Sequence, residues 1–248
     1  MFTVPVTLFA ADGVAVDRDA TSLIYVPGTV AQWAALGVAA PWAIWPCQDA
    51  SSPLVESISG VVNLASGGSP SYLQAVAGWT RTGTTLGSTV TSFSLTNPAA
   101  PNISAQSALL LAYVRIATTP GGTRDVVVLG GTGSTRAAAT ANNTPRTGAR
   151  SGGNVATGSS DPIGTMVRPW VVAVNRTANT MKAYTNQEIV NPTFDAAMSG
   201  RLTSFGNTSG AAQSATFLYA TGWQAAAAEM TDATVRTMLQ ALGWTVAW

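Results

Sequence analysis

The chain contains no histidine, a single cysteine and very little charge. Without imidazole there is no Ser-His-Asp or Cys-His machinery and no histidine metal site. Cys47 stands alone, which excludes a disulfide framework or a thiolate metal cluster within the chain. In the apolar setting Ile44-Trp45-Pro46-Cys47 it reads as a buried structural thiol. Charged residues make up 9% of the 248 positions, against about a quarter in an average soluble domain. Eleven of the twelve basic residues are arginines, scattered without a run or stripe, so nucleic acid is a poor partner. No stretch approaches the roughly 18 unbroken apolar residues of a membrane-spanning helix, so no membrane partner is expected. The N-terminus lacks a basic n-region, so no cleaved secretory signal is expected.

What is present is β-prone. The central stretch Val167 to Glu188 opens with an apolar run, Trp170 to Val174, led by Pro169, a residue confined to strand ends and edges. Every position of that run is apolar, which predicts a strand covered on both faces. Asn175 to Asn179 supply turn chemistry, and Met181, Ala183 and Tyr184 lie in a looser second strand. The pair predicts a β-hairpin deep in a sandwich. Ala108 to Ile116 and Val126 to Leu129 read as further buried strands. Gly130-Gly131-Thr132-Gly133 reads as a turn, since it lacks the Gly-Lys-Ser/Thr ending of a phosphate loop.

Elsewhere the expected strands are Thr3 to Phe9, Val14 to Val16, Leu23 to Val26, Pro41 to Gln48, Val61 to Leu64, Ser71 to Val76, Thr89 to Leu95 and Phe217 to Trp223. Thin strands are expected at about 134–140, 145–151 and 153–157 within a polar, small-residued segment. Asp17-Arg18-Asp19 reads as a polar break and Pro192 to Leu202 as a loop. Two helices are expected. Thr29 to Leu36 is short, with Gly37 closing it. In the second, Thr231 caps, Asp232 suits the positive N-terminus, Val235, Met238, Leu239 and Leu242 share a face, and Gly243 stops it.

The Trp-led strand, short polar turn and Tyr-containing strand resemble the central hairpin of laminin-G-like, concanavalin-A-like jelly-roll domains. Asp49 to Gly60 matches the outline of the segment that follows the first strand in those domains, and the closing strand followed by a Thr-Asp helix matches as well. Val171 and Asn186-Gln187 stand where that family usually has His and Asp-Gly. The resemblance covers roughly residues 41 to 243. It implies an all-β, antiparallel jelly-roll β-sandwich with a short N-terminal arm (1–27), a jelly-roll domain (28–248) and one C-terminal helix. The Ala-, Gly- and Thr-rich style is similar to virion proteins of tailed phages.

Candidate chemistry is thin. Among the carboxylates only Asp17 and Asp19 share an i, i+2 spacing, while Glu56, Glu188 and Glu229 stand alone, so no glycosidase pair is expected. No cofactor is expected; calcium, which the resemblance implies as a common ligand, would draw on Asp49, Asp125 and Asp161. The tryptophans read as core, and an exposed pair of them would mark a sugar-stacking face. Arg136, Arg146 and Arg150, with Asn142 and Asn143, form a polar segment able to meet a glycan or a partner carboxylate. The function expected from these observations is a non-enzymatic virion protein, a decoration or cement subunit on a capsid or tail lattice. It would be a homo-oligomer, meeting the major capsid protein or tail components through Phe2, Val4, Leu8, Phe9 and Trp248. The alternatives are a glycan-binding receptor module and, beyond it, a jelly-roll glycoside hydrolase.

Overall fold

The computed structural model describes residues 14–19, 22–27, 30–45, 54–55, 72–75, 79–82, 85–88, 93–95, 101–116, 119–131, 133–164, 166–205 and 215–248. The expectations on Thr3 to Phe9, Cys47, Asp49, Glu56 and Val61 to Leu64, and on the candidate contacts Phe2, Val4, Leu8 and Phe9, lie outside those residues.

In chain order the strands begin with β1 (Val14–Asp19) and β2 (Ser22–Val26), then helix α1 (Val30–Ala35), β3 (Ala43–Trp45) and β4 (Leu54–Val55). Four short strands follow: β5 (Tyr72–Ala75), β6 (Trp79–Thr82), β7 (Thr85–Ser88) and β8 (Phe93–Leu95). Two long buried strands come next, β9 (Ala108–Ile116) and β10 (Arg124–Gly130). The polar segment gives β11 (Arg136–Ala141), β12 (Thr147–Ser151) and β13 (Asn154–Thr157). The chain closes with β14 (Arg168–Asn175), β15 (Thr180–Tyr184), β16 (Ile189–Val190), β17 (Leu202–Phe205), β18 (Ala215–Gln224) and helix α2 (Asp232–Ala241).

β1 and β2 pair with each other as a two-stranded sheet. Asp17-Arg18-Asp19, expected as a break, lies inside β1; the polar character shows instead as a register shift between Asp17 and Asp19. The β6–β7 hairpin was not expected, because its short Thr- and Gly-rich strands carry little apolar alternation.

The remaining strands build two antiparallel sheets. Sheet I runs β16-β15-β14-β9-β18-β7-β6, with β3 sharing β18; sheet II runs β13-β12-β11-β10-β17-β8-β5-β4. They stack as an all-β, jelly-roll-like sandwich, the sandwich that the strand pattern predicts and the jelly roll that the resemblance implies. Period-2 alternation sorts each strand. From β9, Ala108, Leu110, Ala112, Val114 and Ile116 enter the core between the sheets, as do Trp170, Val172 and Val174 of β14. The intervening Leu109, Leu111, Tyr113, Val171 and Ala173 face the other way, onto Trp33 of α1, Val235, Met238 and Leu239 of α2, and Trp244. The helices therefore lid the outer face of sheet I, which explains strands apolar at every position.

Pro169 occupies β14 opposite Tyr113 of β9, two residues before pairing with β15 begins at Val171. Its missing N–H thus falls where only one neighbour is present. The β14–β15 turn is held by Asn175 Oδ1, which accepts from the Ala178 N–H at 2.8 Å. Asn179 takes a left-handed φ of 51°, a conformation Asn tolerates better than most residues. Helix α2 is capped by Thr231, whose side chain accepts from Thr234 N, and it ends at Gly243 with φ 85°.

Candidate functional site

The outward positions of the central hairpin are the start of the site. Because β14 and β15 alternate, Ala173 and Asn175 of one strand and Thr180, Lys182 and Tyr184 of the other all project from the outer face of sheet I. The chain returns to that face after β18 through Ala225–Ala228, a tight 3-10 turn, and enters α2. Between these two walls lies an open cavity of about 330 Å3, its second wall formed by Ala228, Glu229, Met230, Thr231 and Asp232.

Polar groups converge there. Lys182 Nζ lies 2.7 and 2.8 Å from the two Asp232 oxygens, and Tyr184 OH donates to Asp232 Oδ1 at 2.9 Å. Glu229 Oε1 accepts from Ser107 Oγ and from Thr177 Oγ1, both at 2.7 Å. Burial pushes the Tyr184 phenol up, and the adjacent Asp232 carboxylate adds to that, so the hydroxyl stays a proton donor. At Asp232 burial acts upward too, but the bonds from Lys182 and Tyr184 outweigh it and hold the carboxyl below its usual range. Glu229 is lowered by the hydroxyls of Thr177 and Ser107. Both carboxyls are therefore anionic at neutral pH, and neither is tuned as a general acid.

This convergence corrects two expectations. Glu229 does not stand alone, since Glu229 and Asp232 line one open cavity. Asp232 is more than a helix-terminus charge, since it ties α2 to a strand residue 50 positions earlier. The sequence signal was the outward alternation Thr180, Lys182, Tyr184; nothing local to it indicated which segment would lie opposite.

The apolar C-terminus folds back on its own domain. Trp244 Nε1 donates to Tyr113 OH at 2.8 Å, and Trp248 Nε1 donates to the Thr185 carbonyl at 2.8 Å. The Trp248 ring sits 5.5 Å from Tyr184, with the Arg236 guanidinium 5.2 Å from its centroid. Trp33, Trp170, Trp223 and Trp244 are buried, as a core reading requires. Trp248 is half-buried beside the cavity residue Tyr184.

On the outer face of sheet II a second polar group assembles. The register of β10 against β11 shifts between Asp125 and Val127. The extra residue, Val126, turns Asp125 to the outer face instead of the apolar core. There its Oδ2 lies 2.7 Å from Arg136 Nε, an ion pair not aligned as a hydrogen bond, and its Oδ1 is 3.8 Å from Arg150 Nε. Burial raises the Asp125 carboxyl despite the neighbouring arginines. Arg136 and Arg150, expected in a solvated polar segment, are strand residues drawn together around this carboxylate. Arg146 instead reaches the Gly158 carbonyl at 3.5 Å. Asn142 Oδ1 accepts from Thr144 N, Thr144 Oγ1 and Arg146 N, and so builds the β11–β12 turn. Asn143 is exposed.

The calcium set does not come together. Asp125 is engaged with guanidinium groups, Asp161 accepts from the Ile163 N–H two residues on, and Asp49 lies outside the described residues. Among the described residues no three acidic or sulfur ligands converge on one point.

No family model matches the sequence, and neither does any curated protein. Solved structures do match in fold. A Trypanosoma rangeli sialidase in complex with sialic acid aligns with 83% of this chain and 33% of its own, at 11% identity and a TM-score of 0.61. A botulinum neurotoxin serotype D binding domain aligns over 81% of this chain and 50% of its own, at 9% identity and TM-score 0.55. Botulinum neurotoxin type C, described as dependent on interaction with two ganglioside molecules to enter cells, aligns over 81% and 51%, at 11% identity and TM-score 0.52. The chain spans about a third of the sialidases and half of the neurotoxin chains, and at these identities the likeness establishes the fold.

The expectation of a non-enzymatic virion decoration protein does not stand. The matched folds belong to sialidases and to toxin binding domains, and nothing ties this one to a phage particle. Two of its physical premises fail as well. Carboxylates that looked isolated share a cavity, and the greasy C-terminal end is spent on this domain's own sheet.

Proposed function

We propose that the chain is a glycan-binding module, a concanavalin-A-like domain that holds a saccharide in the cavity between the β14–β15 hairpin and α2. The observation that carries this reading is the cavity's chemistry. An ammonium, two carboxylates and a phenol converge beside a floor of methyl-bearing side chains, Ala173, Ala178, Ala228 and Met230. A sugar presents the complement, a rim of hydroxyls that both donate and accept around a less polar ring. The likeness to structures described with sialic acid and gangliosides supports the same reading.

A glycan array probed with the whole chain tests it. One or a few related glycans should bind, and Lys182→Ala and Asp232→Asn should each weaken them by roughly tenfold, the loss of one charge-assisted hydrogen bond. The Lys182–Asp232 pair is partly exposed, with side-chain exposures of 27% and 45%, so thermal stability should change little. An array without a hit, or unchanged affinity in both variants, overturns the reading.

The shared cavity of Glu229 and Asp232, with the sialidase likeness, favours glycoside hydrolysis as the second reading. Release of a fluorogenic aglycone from a sialoside, abolished in Glu229→Gln and Asp232→Asn, would establish it. Binding ranks first because both carboxyls are lowered rather than raised, so neither is a carboxylic acid able to protonate the leaving group.

A further inference from the structure

We propose that Arg136 and Arg150, on the outer face of sheet II, form a binding site for an organic oxyanion, a carboxylate or sulfate group carried on a carbon skeleton. The site is on the opposite sheet from the cavity and does not depend on the glycan reading.

The first argument is charge. Asp125 is 2% exposed and contributes at most one negative charge, while Arg124, Arg136 and Arg150 all act on it electrostatically. Three fixed positive charges surround one carboxylate, so the group as a whole is a cationic surface in partly desolvated surroundings. Guanidinium groups cannot relieve that by losing a proton; an anion from outside can.

The second argument is geometry. Arg136 is committed, with Nε against Asp125 and one terminal nitrogen donating to the Gly133 carbonyl at 2.9 Å. Arg150 is not. Its Nε is buried and has no hydrogen-bond partner among the described residues, and 3.8 Å from Asp125 Oδ1 is beyond hydrogen-bond reach. Its side chain is nevertheless 23% exposed, so the planar fork has an open edge of the kind that grips carboxylate or sulfate through two parallel bonds.

The third argument names the body of the ligand. Arg150 pairs directly across β12 and β13 with Val155, which is 49% exposed and one of two large apolar side chains so exposed among the described residues. An oxyanion on Arg150 therefore brings its own carbon skeleton over Val155.

Calorimetric titration of the whole chain with glucuronate, with a heparin-derived tetrasaccharide and with inorganic sulfate tests the proposal. The two organic anions should bind more tightly than sulfate, and binding should weaken as sodium chloride is raised. Arg150→Gln should weaken them by roughly tenfold and Arg150→Lys by less, since the charge remains but the fork is lost. Val155→Asp should abolish binding. These variants leave the Asp125–Arg136 pair in place, so circular dichroism should show an unchanged fold. Sulfate binding as tightly as the organic anions would overturn the assignment to an organic ligand. Affinity unmoved by Arg150→Gln, or no heat with any of the three, would overturn the site itself.

Discussion

At the scale of single residues, satisfaction of buried polar atoms decides most outcomes. Trp33 and Trp170 are equally buried, yet Trp33 Nε1 donates to Tyr219 OH at 3.2 Å whereas Trp170 Nε1 has no partner among the described residues. Trp33→Phe should therefore cost about 1 kcal/mol more than Trp170→Phe in denaturant unfolding, the net worth of one hydrogen bond. Glu188 is the converse, a carboxylate with many donors. It accepts from the backbone N–H and hydroxyl of both Ser159 and Ser160, at 2.5 to 3.0 Å. Burial acts to raise its pKa, but those four donors win and lower it. A carboxyl lowered on folding stabilises the native state above its ordinary value of 4.5, and that contribution is lost as pH falls through the lower folded value. Glu188→Gln should thus reduce stability near neutral pH and flatten the fall in Tm on acidification; a parallel pair of Tm–pH curves would contradict this.

At the scale of elements, helix α2 and the central hairpin work as one unit. Thr231→Ala removes the cap on Thr234 N and should cost about 1 kcal/mol. Leu239→Ala, at a fully buried position against sheet I, should cost about 2–5 kcal/mol. Because α2 supplies Asp232 to the cavity, the Leu239 variant should also lose glycan affinity, while the exposed Gln240→Ala should not. The hairpin turn is secured from behind by Arg176, which donates to the carbonyls of Ile103, Ala196 and Met198 and lies 5.2 Å from the Phe194 centroid. A glycine serves the same loop region. Gly130 has φ 94°, and a Cβ there would come 2.8 Å from the Ser199 carbonyl oxygen. Gly130→Ala should therefore destabilise, through both backbone strain and that contact.

At the scale of the whole molecule, the sandwich is sealed by segments that end the chain. Removing residues 244–248 would strip Trp244, which is 4% exposed, from sheet I and free Tyr184 and Thr185 from Trp248. Loss of a buried tryptophan costs about 3–5 kcal/mol, so Tm should fall by on the order of 10 °C; an unchanged Tm would show that the tail is not part of the core. Trp248, expected at a partner's surface, packs instead on Tyr184 and Thr185 of its own chain. A greasy terminus is equally consistent with a neighbour's surface and with a face of its own sheet, and only the sheet's position separates the two.

What the linear chain determined by itself was everything that depends on near neighbours. The limits of β9, the double-sided burial of β14, the Asn-rich turn and the Thr231-to-Gly243 helix with its buried stripe all follow from alternation, 3.6-residue periodicity and capping, which act over a few positions. Those rules also carried the reading as far as an all-β sandwich. What only the tertiary structure decided was convergence. Lys182 meets Asp232 across 50 residues; Glu229 joins them because β18 returns beside β9; Asp125 meets Arg136 and Arg150 because one bulge residue turns it outward. Such contacts are set by which strands pair and in what register, and a scattered carboxylate carries no local mark of the partner that the pairing will bring to it.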